Sequence, residues 1–181
     1  MEDAGLSFSD LDVIAATLGP GSFTGVRIAI AAALGFALVI PVKLFGIDSL
    51  SVMARMALAE GLTPHGPFAV AVDARRGMLY FALFDADGVK REGPLLIGPD
   101  DAVDMLPTAL HAGVGSGAEL VAEAAARRGK RLEAMLPELQ PNASALAEIA
   151  YSSDETFSTL RPLYLRPPDA RPQGYTLVAR R

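Results

Sequence analysis

At 181 residues and 51% apolar composition, the chain is long enough to bury a sizeable core and too apolar to stay disordered. It contains no cysteine, which excludes disulfides, thiolate metal centres and a cysteine nucleophile. A net charge of −5 argues against gripping a nucleic-acid backbone unaided, since that takes clustered Lys and Arg. The basic runs at Arg127-Arg128-Lys130-Arg131 and near the C-terminus read as solvated helix-end and tail charges.

The start shows no leader pattern of charged, apolar and small residues. The expected compartment is therefore the cytoplasm. Leu11–Leu18 is a largely apolar run and predicts a buried strand. Gly19-Pro20-Gly21-Ser22-Phe23-Thr24-Gly25-Val26-Arg27 follows as a tight turn into a helix. Ser22 and Thr24 can each offer a side-chain oxygen to the free amides of that helix. Such a turn either cradles an anion on backbone N–H groups or lets another element approach closely. The phosphate fingerprints do not fit. Gly25 is followed by Val26 and Arg27 rather than Lys and Ser or Thr, and Gly19, Gly21 and Gly25 are spaced one residue too far for a dinucleotide loop.

The helix is expected over Thr24–Val39. From Ile28 to Val42 nothing is charged or strongly polar, yet Pro41 ends the run too early to cross a bilayer. A helix apolar all round is buried on all sides, in its own core or in a partner. Gly25, Ala29, Ala33 and Ala37 form a stripe of small residues suited to close helix contact. Ile28, Leu34, Phe36, Leu38 and Ile40 are left to fill a core.

Val42–Ile47 reads as a strand and Ser49–Glu60 as a helix capped near Ser49 or Ser51. The loop Gly61–Gly66, with Pro64 inside, marks a lobe boundary. Phe68–Asp73 and Met78–Phe84 form a hairpin around Ala74-Arg75-Arg76-Gly77, with Gly77 supplying a left-handed position. Then come a short helix over Asp101–Leu106, a weak strand over Leu110–Val114 and a second glycine turn, Gly115-Ser116-Gly117. A helix over Ala118–Arg128, a short strand over Leu132–Met135, a helix over Ala143–Tyr151 and a Pro-rich tail complete the chain. Alternating strands and helices imply an α/β fold with an antiparallel component.

Chemistry-bearing groups are sparse. His65 and His111 are the only histidines, lack H-x-x-x-H spacing, and predict no metal site. Asp73 with Arg75 and Arg76 reads either as a ligand contact at the strand end or as a surface ion pair. Tyr80 reads as a half-buried packing residue. Ser22 is not in a G-x-S-x-G elbow.

These motifs, in order, resemble the TsaB family of tRNA threonylcarbamoyladenosine biosynthesis, also described as glycoprotease-like or peptidase M22. Gly19–Arg27 resembles its signature loop, including Gly19, Gly21, Ser22, Phe23, Thr24, Gly25 and Arg27. Asp73-Ala74-Arg75-Arg76-Gly77 with Tyr80 resembles its D-A-R hairpin. Gly113–Gly117, with Gly115 and Gly117, resembles its second glycine turn, and Pro162–Arg166, with Tyr164 and Arg166, its closing P-x-Y-L-R segment.

The resemblance implies an actin/Hsp70-like (ASKHA, ribonuclease H-like) α/β fold of two lobes. Residues 1–62 would be the remainder of the first lobe, 63–166 the second, and 167–181 a tail. It implies a subunit with no catalytic residue and no metal, pairing with the catalytic paralogue TsaD and the ATPase TsaE. Adenosine 37 of tRNA would be reached only through that complex, and ATP or ADP bound only there. It further implies a homodimer when alone, no membrane association, and an interface on or beside the helix carrying Ala29, Ala33 and Ala37. The alternatives are an M22-type peptidase and an ASKHA-type ATP-binding enzyme. Family members begin with an I-L-A-I-D-T strand and a further strand pair. By that comparison roughly forty to fifty residues precede the helix at which this chain starts. The first lobe is expected to be incomplete, with Leu11–Leu18 left an open edge.

Overall fold

Two five-residue strands, β1 (Val13–Thr17) and β2 (Lys43–Ile47), pair in parallel, with Val13 opposite Lys43 and Thr17 opposite Ile47. Parallel neighbours need a crossover, and α1 (Phe23–Ala37) supplies it. Two single 3-10 turns, Glu2–Ala4 and Phe8–Asp10, precede β1. The chain is described by a computed structural model over residues 1–62, 66–108, 112–155, 157 and 159–166. Pro64, His65, Leu110, His111 and the tail 167–181 lie outside the described residues, and so do the expectations placed on them. The α1 side of this small sheet holds a core of Ala16, Ile30, Ala33, Leu44 and Leu160. Phe157 closes the free edge of β2, donating its N–H to the Leu44 carbonyl at 2.8 Å. The outer edge of β1 carries no strand among the described residues.

α2 (Ser49–Ala59) leaves this sheet and packs on the next one. Leu50, Val52, Met53, Ala54, Met56 and Ala57 are all buried, in one core with Phe68, Val70, Phe84 and Leu146. The helix that closes the first segment thus completes the core of the second. Its cap is Asp48, not Ser49 or Ser51 as the sequence suggested. Asp48 Oδ1 accepts from the Ser51 amide at 2.9 Å, while Oδ2 accepts from Ser51 Oγ and from Lys90 Nζ, each at 2.6 Å. Asp48 is 6% exposed, so this carboxylate is satisfied by a cap and a cation from a distant strand. Asp48→Ala should lower stability by about 2 kcal/mol, the sum of a lost cap and a lost charge-assisted bond. Asp48→Asn, which keeps a capping oxygen, should lose less. Urea midpoints of the two variants check this.

The second sheet has the order β5-β4-β3-β6-β7. Its strands are β3 (Phe68–Asp73), β4 (Leu79–Phe84), β5 (Lys90–Ile97), β6 (Ala112–Val114) and β7 (Glu133–Met135). β3, β4 and β5 form an antiparallel meander, and β6 and β7 add in parallel beyond β3. Around it lie α3 (Pro99–Met105), α4 (Ala118–Arg127) and α5 (Ala143–Tyr151). β4 is buried on both faces. Leu79, Phe81 and Leu83 join α3 and α4 in one core; Tyr80, Ala82 and Phe84 face α2 and α5 in the other.

β5 is the strand that sequence reasoning missed. Its residues, KREGPLLI, begin with charges and carry Gly93-Pro94 in the middle. Proline is tolerated because β5 is the sheet's edge and pairs only with β4. Gly93 (φ +92) sits where an added Cβ would lie 2.6 Å from the Phe81 carbonyl, and the register shifts beside it.

The order strand, glycine turn, helix, parallel strand, helix occurs twice, as β1-α1-β2-α2 and as β6-α4-β7-α5. Gly19 (φ +99) and Gly115 (φ +96) occupy equivalent turn positions. In the second set, β3 takes the far edge of β6.

Candidate functional site

Gly19 is where the chain needs glycine. A Cβ there would lie 3.2 Å from the Leu163 carbonyl, and the Leu163 amide donates to the Leu18 carbonyl at 2.7 Å. The Gly19 carbonyl in turn accepts from the Ser49 amide at 2.8 Å. The Gly19–Pro20 bond is cis. The turn admits close approach: the 162–164 segment and the start of α2 both seat on it. Ser22 caps α1, its Oγ accepting from the Gly25 amide at 3.3 Å. Thr24 lies inside the first helical turn instead of capping it.

α1 is not buried on all sides by its own chain. Ile30 and Ala33 are buried, and Val26, Leu34 and Ala37 are half-buried against β1, β2 and Leu160. Phe23 (56%), Ile28 (64%), Phe36 (40%) and, just past its end, Leu38 (89%) and Val39 (84%) are exposed. Ile28, Phe36 and Leu38 therefore do not fill this chain's core, contrary to the sequence expectation. The small-residue stripe also divides. Gly25 and Ala29 are exposed, Ala33 is 3% exposed and Ala37 half-buried. A four-residue step overshoots a 3.6-residue turn by about 40°, so three steps swing the stripe from the open face into the core. Near the C-terminal end of α1, Phe8 stacks on Phe36 at 5.0 Å, and Leu6 beside it is half exposed. No periodic signal marked either residue.

At the N-terminal end of α1, motifs distant in sequence meet. Arg27 Cζ lies 3.7 Å above the Phe23 ring and 5.3 Å from the Tyr164 ring, and its Nε donates to Tyr164 Oη at 2.6 Å. Two residues on, Arg166 Nη2 donates to the Arg75 carbonyl at 3.4 Å. Arg75 belongs to the β3–β4 turn, where Asp73 accepts from its amide at 2.8 Å and pairs with its guanidinium at 3.5 Å. The Asp73 amide donates to Ser116 Oγ at 3.2 Å, joining that turn to the second glycine turn. Gly115 and Gly117 allow the approach. A Cβ at Gly115 would lie 2.6 Å from the Ala71 carbonyl, and at Gly117 3.0 Å from the Val72 carbonyl carbon. Arg75 (φ +65) and Arg76 (φ +57) share the left-handed region with Gly77 (φ +70). Tyr80 stays apart, half-buried against the core over α2.

On the other side of the glycine turn, an open cleft of about 690 Å³ includes Leu18, Asp48, Ser51, Arg55, Lys90 and Glu155 in its lining. Its buried carboxylate, Asp48, is already engaged by Lys90. Among the described residues no three His, Asp or Glu side chains are grouped to hold a metal ion, and no helix is long and apolar enough to cross a membrane.

The family model of TsaD, tRNA N6-adenosine threonylcarbamoyltransferase, matches residues 1–163. An uncharacterized protein of Mycobacterium tuberculosis (strain H37Rv) is 35% identical over 174 residues, covering 95% of this chain and 72% of that protein. The tRNA threonylcarbamoyladenosine biosynthesis protein TsaB of Escherichia coli K12 is 33% identical over 108 residues, 60% of this chain and 44% of that one. Among solved structures, YeaZ from Pseudomonas aeruginosa superposes with a TM-score of 0.74 at 30% identity, covering 91% of this chain and 79% of the other. A second structure from that organism, of a protein with similarity to peptidase YeaZ, gives a TM-score of 0.75 at 29% identity, covering 91% and 78%. The mixed α/β architecture accords with the ribonuclease H-like, actin-like fold expected from the motifs.

Proposed function

The chain belongs to the TsaB/YeaZ family, which carries the TsaD-type domain, and from that premise we propose that it is a non-catalytic partner subunit in tRNA threonylcarbamoyladenosine synthesis. It pairs with a TsaD-type catalytic paralogue, and the TsaE-type ATPase joins that pair. ATP or ADP enters only in that assembly, whose compartment is the cytoplasm. The observation that carries the reading is the open apolar face of α1. Ile28, Phe36 and, just past the helix end, Leu38 and Val39 are all large and all at least 40% exposed. Clustered exposed apolar side chains of this kind mark protein interfaces. The same face serves a homodimer when the paralogue is absent.

The test is co-purification of the full chain with the paralogue. Ala29→Glu and Leu38→Asp put a charge on the open face without entering the core. Gly25→Leu crowds that face while its Cβ meets only Ser22, at 3.5 Å. Each variant should keep its circular dichroism spectrum and weaken the complex at least about tenfold, as expected for burying an unpaired charge or a misfit at an interface. Wild-type affinity in all three would exclude α1 as the interface. Ala33→Glu is no test of it, because Ala33 faces the chain's own core.

A further inference from the structure

We propose that Arg27, Arg75 and Arg166 form a binding site for a phosphodiester segment of RNA. The proposal rests on the reading above only for naming RNA as the phosphodiester; the cluster itself stands on its own geometry. The three guanidiniums come from the start of α1, the β3–β4 turn and the segment after Phe157. They are joined by the Tyr164 hydroxyl on Arg27 and by the Arg166 bond to the Arg75 backbone.

Each guanidinium retains donor capacity. Arg27 uses only Nε on the protein, so both terminal amines carry no hydrogen bond among the described residues. Its plane is held over the Phe23 ring, which limits rotamer freedom before any ligand arrives. The Arg75 side chain is 85% exposed, and its ion pair with Asp73 at 3.5 Å is a loose, solvent-screened one. Arg166 gives one long bond, 3.4 Å, to a carbonyl. Among the described residues Asp73 is the only carboxylate within ion-pair distance of any of the three. By contrast, Arg127 and Arg128 face Asp100 and Asp104. In a chain of net charge −5, these three arginines thus face one carboxylate among the described residues.

One further feature favours nucleic acid over an acidic peptide. The Phe23 and Tyr164 rings beside the cluster are 56% and 51% exposed, and aromatic faces next to arginines take up unstacked bases.

The experiment is fluorescence anisotropy of a short labelled RNA hairpin with the full chain, without any paralogue, across a series of KCl concentrations. Three phosphate contacts predict a slope of log K against log salt of about −2. Arg27→Ala and Arg75→Ala should each flatten it by about 0.7, and the double variant should bind at least about tenfold more weakly. Arg27→Lys keeps the charge and should retain most of the slope. Arg127→Ala with Arg128→Ala should bind as wild type. Wild-type binding by a folded Arg27→Ala/Arg75→Ala chain would overturn the proposal. So would absence of RNA binding, or binding of ATP, inorganic phosphate or polyglutamate as tight as that of RNA. Because Ala29→Glu and Leu38→Asp leave the arginines intact, loss of paralogue binding and loss of RNA binding separate the two ideas.

Discussion

Gly115→Ala is expected to destabilise the protein by at least about 3 kcal/mol. Two causes add. At φ +96 any L side chain meets its own backbone, at about 1–2 kcal/mol. The Cβ would also lie 2.6 Å from the Ala71 carbonyl oxygen and 3.1 Å from Met53 Cε. That carbonyl accepts from the Gly117 amide at 2.9 Å, and the Gly115 amide donates to Met135 at 3.2 Å. Pushing the turn outward therefore strains both bonds and lifts β6 from β3. Against a total stability of about 5–15 kcal/mol for a folded domain, this is a large fraction. Gly77→Ala is the control. Its φ is +70, but nothing lies within 4 Å of the new Cβ, so it should lose only the conformational part, about 1 kcal/mol. Equal losses in the two variants, by thermal or urea denaturation, would show that close approach is not what Gly115 provides.

Phe84→Ala is expected to lose about 3–5 kcal/mol, with the second sheet's core as the place of damage. Phe84 is fully buried, faces Phe68 directly across the β3–β4 pair, and stacks on it at 5.6 Å. Both rings lie under α2, so the cavity opens where that helix rests on the sheet. Phe84→Leu refills most of the volume and should lose no more than about 1.5 kcal/mol. Phe157→Ala should lose far less than Phe84→Ala. Phe157 is 38% exposed, and its main tie, the amide bond to Leu44, survives the substitution. A ranking with Phe157 above Phe84 would contradict this account of the core.

How far the site was legible depended on how local each signal was. The glycine turns were readable because a positive φ beside a helix start leaves a glycine in the chain. What each glycine admits was not, since Leu163 and Ala71 lie far from Gly19 and Gly115 in sequence. The hairpin Asp73–Gly77 was legible from its strands and its turn residues, and its Asp73–Arg75 ion pair is present. β5 was invisible because its charges and Gly-Pro fit a strand only at a sheet edge, with β4 to supply the register. The capping role of Asp48 was misassigned to serines next to it, since a local pattern does not reveal that Lys90 waits on another strand.

By itself the sequence determined the alternation of strands and helices, the glycine turns, and an apolar helix expected over Thr24–Val39, which forms over Phe23–Ala37. Those follow from backbone preference and short-range periodicity, which act within a few residues. Only the tertiary structure decided which face of α1 meets β1 and β2, because that depends on where Leu44 and Leu160 arrive. It likewise decided that Arg27 would rest between Phe23 and Tyr164, a hydroxyl bond spanning 137 residues, and that Arg166 would reach Arg75 across 91. Charge and shape at a surface are sums over segments that only folding brings within reach, so the open apolar face and the arginine cluster became visible there alone.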